Sequence, residues 1–157
     1  MNNSILQTYN RSNLYFERGK GSWLETSGGE LYLDFGSGIA VNSLGHCHPK
    51  LVEAIKKQSE VLWHTSNLHN IMQQEKLADF LVANTFAEKV FFTNSGAESV
   101  ECAIKMARKY FYERGFKNKN KIITLEGSFH GRTLGTIAAA AEEKLTMGFG
   151  PNLQGFE

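Results

Sequence analysis

Residues 89–101 read Lys89-Val90-Phe91-Phe92-Thr93-Asn94-Ser95-Gly96-Ala97-Glu98-Ser99-Val100-Glu101, and no other stretch restricts the fold as strongly. A short β-type run, Lys89 to Phe92, stops at small polar residues, and a helical pattern begins at once. A strand that feeds a helix through Ser95-Gly96-Ala97 makes an anion site. The first backbone N–H groups of the helix have no internal partner and carry the positive end of its dipole. Gly96 and Ala97 are small enough to let a phosphate reach those groups. Ser95 and Glu98 also match the S-x-x-E capping box, which satisfies helix-start donors without any ligand. Both readings stand at this point, and they coexist if the Ser95 hydroxyl is shared between cap and phosphate.

The pattern continues downstream. Val100, Ala103, Ile104, Ala107 and Phe111 form an apolar stripe, and Arg108, Lys109 and Arg114 suit the negative end of the dipole. Gly115 is a natural stop, so the spacing predicts a helix over 96–114. Lys121-Ile122-Ile123-Thr124-Leu125 predicts a second strand, left by the loop Gly127-Ser128-Phe129-His130-Gly131-Arg132. Thr133 to Ala141 reads as an alanine-rich helix start. Strand, long helix, strand is a βαβ-type unit. It implies an α/β fold with a mainly parallel sheet flanked by helices. Ligands of such sheets gather at the carboxyl ends of the strands. Ser95-Gly96-Ala97 and Phe129-His130-Gly131-Arg132 both leave such ends, so the two loops are expected to face one crevice.

Upstream, Trp23-Leu24-Glu25-Thr26 and Leu31-Tyr32-Leu33-Asp34-Phe35 flank Ser27-Gly28-Gly29-Glu30, the pattern of a β-hairpin. Pro49 suits the first turn of a helix, and Leu51, Val52, Ile55, Ser59 and Leu62 follow at helical spacing. A further helix is predicted over Gln73 to Asn84 with Leu77, Phe80 and Leu81 inward, after a loop at Trp63-His64-Thr65-Ser66-Asn67. With 41% hydrophobic and 21% charged residues the chain is of ordinary globular composition. Its net charge of +1 gives no nucleic-acid signal. No apolar run approaches the length of a membrane span, and the N-terminus lacks the features of a signal peptide. Cys47 and Cys102 are read as free thiols of a reducing compartment. His46-Cys47-His48 is read as a turn before the Pro49 helix and not as a metal site, because no further ligand cluster accompanies it.

Taken in order, several segments resemble the N-terminal part of the class III pyridoxal-phosphate aminotransferases, of fold type I, most closely their acetylornithine branch. They are Gly21-Ser22-Trp23-Leu24, Tyr32-Leu33-Asp34-Phe35, Ser37-Gly38-Ile39-Ala40-Val41-Asn42, and Leu44-Gly45-His46 with His48-Pro49. Then follow Trp63-His64-Thr65-Ser66-Asn67-Leu68, Phe91 through Glu101, and Phe129-His130-Gly131-Arg132-Thr133-Leu134. Each piece is weak alone, and the ordered set is specific. The resemblance implies that Ser95, Gly96 and Ala97 cradle the phosphate of pyridoxal 5'-phosphate and that Phe129 stacks on its ring. It implies that Arg132 meets the substrate α-carboxylate, and that Ile39, Ala40, Val41 and Asn42 line the pocket for the substrate side chain. The family assigns proton transfer to a lysine, not to a residue in the place of His130.

The same resemblance implies residues 1–58, which contain the hairpin, as an N-terminal segment contributing to a small domain, and 59–157 as the first, incomplete part of the large cofactor-binding domain. It implies a cytoplasmic homodimer that transfers the δ-amino group of N-acetylornithine to 2-oxoglutarate in arginine biosynthesis. Ornithine and 4-aminobutyrate aminotransferases of the same class are the alternatives. His69-Asn70-Ile71-Met72 stands where many acetylornithine enzymes carry tyrosines, in a region that contributes to the substrate pocket. The family's Schiff-base lysine, its acidic partner for the pyridinium nitrogen and a threonine from the other subunit are expected downstream of Glu157. The 157 residues are therefore expected to hold no catalytic residue and no metal. On their own they are expected to serve at most as a non-catalytic module that binds a phosphorylated ligand or a partner.

Overall fold

The computed structural model describes residues 4–140 and 142–157. Its chain divides into two compact units, one ending at Asn70 and one spanning Ile71–Glu157. The predicted helix end at Ala141 lies outside the described residues.

The first unit is built on a three-stranded antiparallel sheet of β1 (Phe16–Lys20), β2 (Trp23–Thr26) and β3 (Leu31–Leu33), in that order. β2 and β3 are the predicted hairpin. The Thr26 amide donates to the Glu30 carbonyl and the Glu30 amide to the Thr26 hydroxyl to close its turn, with Gly29 in the left-handed region at φ 83°. β1 was not legible, because Phe16-Glu17-Arg18-Gly19-Lys20 carries no alternation and a bulge interrupts its register between Phe16 and Arg18. A short helical turn, α1 (Ser37–Ala40), follows the sheet, and α2 (Pro49–Ser59) starts at the proline as expected.

In the second unit come α3 (Met72–Asn84), α4 (Gly96–Glu113), α5 (Leu134–Ala140) and α6 (Glu143–Thr146). The predicted long helix is α4, and Gly115 leaves it at φ 85°. The core of this unit lies where α4 meets α5: Ile104, Ile137, Ala139 and Ala140 are buried, and Thr136 is fully enclosed.

Two expectations need correction. Lys89–Phe92 makes no strand pairing with other described residues, and Lys121–Leu125 pairs only briefly: Ile122 forms a parallel bridge to Phe156, in which the Ile122 amide donates to the Gly155 carbonyl at 2.9 Å, the Glu157 amide to the Ile122 carbonyl at 3.0 Å and the Thr124 amide to the Glu157 carbonyl at 2.7 Å. A strand exists through its partner's hydrogen bonds, and the apolar run alone does not provide one. Leu77 and Phe80 do not turn inward either, being 49% and 63% exposed.

Candidate functional site

The start of α4 is built by local chemistry. Ser95 takes an extended backbone, and its hydroxyl accepts from the Glu98 amide at 3.2 Å. The Glu98 carboxylate turns back to the Asn94 amide at 2.6 Å, one residue further than an ordinary capping box reaches. Capping thus serves the Glu98 donor. The amides of Gly96 and Ala97 occupy the first two helical positions, where no intrahelical acceptor exists. A Cβ built on Gly96 meets nothing within 4 Å, so there is open room beside Gly96, and both residues line a cavity. That is what a phosphate needs: unpaired helix-start donors, dipole, and space.

The loop after Lys121–Leu125 comes to the same place. Gly131 is buried at φ 129°, and a Cβ there would lie 2.9 Å from both the Ala97 Cβ and the Thr136 hydroxyl. Only glycine lets the loop rest directly on α4. The result is a cavity of about 430 Å³ lined by Gly96, Ala97, Val100 and residues 129–132, His130 among them. Phe129 keeps 65% of its surface exposed, and the Arg132 guanidinium lies 5.5 Å from its ring centre, within cation–π range. The His130 ring is engaged locally, with the Ser128 hydroxyl at 2.9 Å. A larger hollow of about 860 Å³ runs along α4 near Lys105, Arg108, Lys109 and Lys117, and it contains none of the predicted site residues.

Val41 and Asn42 belong to the first unit. They follow α1, where Ser37, Gly38, Ile39 and Ala40 all have φ between 45° and 64°. Four consecutive left-handed residues, including a β-branched Ile39, are an unusual and strained backbone. Asp34 anchors its entry: one carboxylate oxygen accepts from the Gly36 and Ser37 amides at 3.0 and 2.9 Å. The Val41 and Asn42 amides then close on the Ser37 carbonyl at 2.9 Å. Ile39 and Val41 are held outward, 93% and 75% exposed. The other Asp34 oxygen lies 2.7 Å from the His46 ring nitrogen. That hydrogen bond, with the Ser37 and Gly36 amides, holds the Asp34 carboxyl below the ordinary carboxylate range. His46 is tied in turn to Gly21 by two backbone bonds of 2.7 and 2.9 Å. Residue spacing overlooked the supporting roles of Asp34 and His46. The aspartate two and three residues before the Gly36 and Ser37 donors was the available signal.

Gly96, Ala97, Phe129 and Arg132 are therefore brought together around one cavity, with Ser95 capping beside it. The residues present suit a phosphorylated aromatic cofactor: donors and space for the phosphate, and an exposed ring for stacking.

Known proteins point the same way. The sequence profile of the aminotransferase class-III family matches residues 6–157. Acetylornithine aminotransferase of Agrobacterium fabrum is 60% identical over 153 residues, covering 98% of this chain and 38% of the relative. The enzyme of that name from Caldanaerobacter subterraneus is 53% identical over 153 residues, with 98% and 39% covered. The chain thus spans about two fifths of the length of these relatives. Ornithine aminotransferase from Toxoplasma gondii, described with partial occupancy of pyridoxal phosphate at its active site, superposes with a TM-score of 0.93. It is 29% identical, and the match covers 99% of this chain and 37% of that one. The segment has the fold expected of it, part of a fold type I transferase. With a profile that runs almost from end to end, the chain belongs to the class III aminotransferases.

Proposed function

We propose that the whole protein carrying this segment is a pyridoxal-phosphate aminotransferase, moving the δ-amino group of N-acetylornithine to 2-oxoglutarate. The names of relatives at 50–60% identity support the donor. The observation that carries the reading is the cavity where the open helix start of Gly96 and Ala97 meets Phe129 and Arg132. A role in arginine biosynthesis, a homodimeric state and a cytoplasmic location belong to the same reading. So does a division in which residues 1–58 serve a small domain and 59–157 open the large one.

Each residue has a physical task. The Gly96 and Ala97 amides, aided by the helix dipole, hold the phosphate. Ser95 shares its hydroxyl between the Glu98 amide and that phosphate. Phe129 offers a ring face for stacking. When bound, the cofactor supplies an electron sink for charge that develops at the substrate Cα. Arg132 presents parallel N–H donors to the carboxylate that every substrate of the reaction carries, which orients Cα without touching the reacting bond. Val41 and Asn42 line the pocket of the donor side chain.

Arg132→Lys tests the assignment. Charged hydrogen bonds are worth about 1.5–3 kcal/mol each. The substitution should therefore lower kcat/KM at least about tenfold for both the amino acid and 2-oxoglutarate. Cofactor content should hold. A variant that loses cofactor but keeps kcat/KM once re-saturated places Arg132 on the cofactor instead.

A further inference from the structure

Arg132 stands between two attachment points on one face of α4. Gly131 rests on Ala97, and one turn further along α4 the Glu101 carboxylate accepts a hydrogen bond from the Thr133 hydroxyl. Ala97 and Glu101 are four residues apart, so they share that face. The Thr133 hydroxyl has one proton, and Glu101 takes it. The Thr133 oxygen is left to accept from the Thr136 amide at 3.2 Å, while the Thr136 hydroxyl accepts from the Thr133 amide at 2.9 Å. Thr136 is fully buried in the α4–α5 core. The loop is thus pinned from the helix, through Glu101 and Thr133, to the buried core of the unit. Gly135 makes room for this: a Cβ there would lie 2.6 Å from one Glu101 oxygen and 2.9 Å from the other.

We propose that Glu101 is a positioning residue that fixes Arg132 relative to the Gly96–Ala97 cradle by holding Thr133. The proposal rests on Arg132 as the carboxylate partner. A carboxylate on the long helix, 32 residues away in sequence, then sets the distance between the phosphate end and the carboxylate end of the bound molecule.

The test uses the whole protein with Glu101→Ala, Glu101→Gln and Gly135→Ala, each alone and with Arg132→Lys. Glu101→Ala should raise amide exchange across residues 130–136 about tenfold, read by mass spectrometry, with the rest of α4 unchanged. It should raise KM for both carboxylate substrates about tenfold while kcat moves less than about threefold. Gln keeps an acceptor oxygen and should restore both within about threefold. Gly135→Ala displaces only the flexible end of Glu101, so it should reproduce part of the effect in a folded protein. In the Arg132→Lys background Glu101→Ala should add less than about twofold in KM, because both changes act through one guanidinium. Unchanged exchange in Glu101→Ala, a Gln variant as impaired as Ala, or full additivity overturns the proposal. Loosened exchange with a kinetically silent Arg132→Lys instead overturns the reading of Arg132 as the carboxylate partner. If Glu101→Ala fails to fold, Gly135→Ala against wild type makes the same decision.

Discussion

At the scale of single residues, the proposed function depends on what stands in front of two amides. A Cβ on Gly96 would meet no protein atom, so the fold itself tolerates a side chain there, whereas a bound phosphate would not. Gly96→Val should leave α4 intact by circular dichroism and weaken cofactor affinity at least about tenfold, the scale of one lost charged hydrogen bond. Equal affinity in the two proteins would reduce this helix start to a plain cap. Phe129 is the complementary case. A core phenylalanine is buried, and this one is 65% exposed beside the Arg132 guanidinium. Phe129→Ala should cost about 1–3 kcal/mol of cofactor retention, by analogy with base–aromatic stacking, without lowering Tm by more than a few degrees. A large Tm loss with normal retention would make it a packing residue.

At the scale of elements, α1 is held by its neighbours, since nothing in its own dihedrals favours it. Its left-handed backbone persists because Asp34 binds both entry amides and His46 holds Asp34. The two side chains are only 14% and 20% exposed. A carboxyl held below its ordinary value stabilises the folded form fully above that value. The contribution is lost as pH falls through the lowered one. The turn should therefore loosen on the acid side, below about pH 4. Amide exchange of residues 36–42 against pH reads this directly. Asp34→Asn keeps an acceptor for the Gly36 and Ser37 amides but removes the titration, so its acid limb should be flat. The same acid slope in both proteins would remove Asp34 as the cause.

At the scale of the molecule, the segment leaves much of its apolar surface uncovered. Phe91, Ile123 and Leu125 are 72%, 84% and 77% exposed, the first on a run without strand pairing among the described residues and the others on a run paired only with residues 155–157. Unpaired strand segments with large apolar side chains invite pairing with another chain. The 157-residue chain produced by itself should self-associate at micromolar concentration and bind a hydrophobic dye, measured by light scattering and fluorescence. A monodisperse, dye-silent monomer would mean that these faces find cover within the segment.

Local rules were enough for much of this architecture. The β2–β3 hairpin, the proline start of α2, the span of α4 and its glycine stop all follow from periodicity, caps and turn residues. Each of these is decided within a few neighbouring positions. The Ser95–Glu98 cap and the small residues behind it were legible for the same reason. Three features were not. β1 exists only through its pairing with β2, and the left-handed α1 only through Asp34 and His46. The two loops were expected to face one crevice, but the contacts that bring them together, Gly131 on Ala97 and the hydrogen bond between Glu101 and Thr133, could not be read from residue spacing. The sequence by itself determined the longer helices, the hairpin and the kind of ligand chemistry available at each loop. The tertiary structure decided which contacts hold the two loops at one cavity, because those join residues dozens of positions apart, which no local pattern encodes.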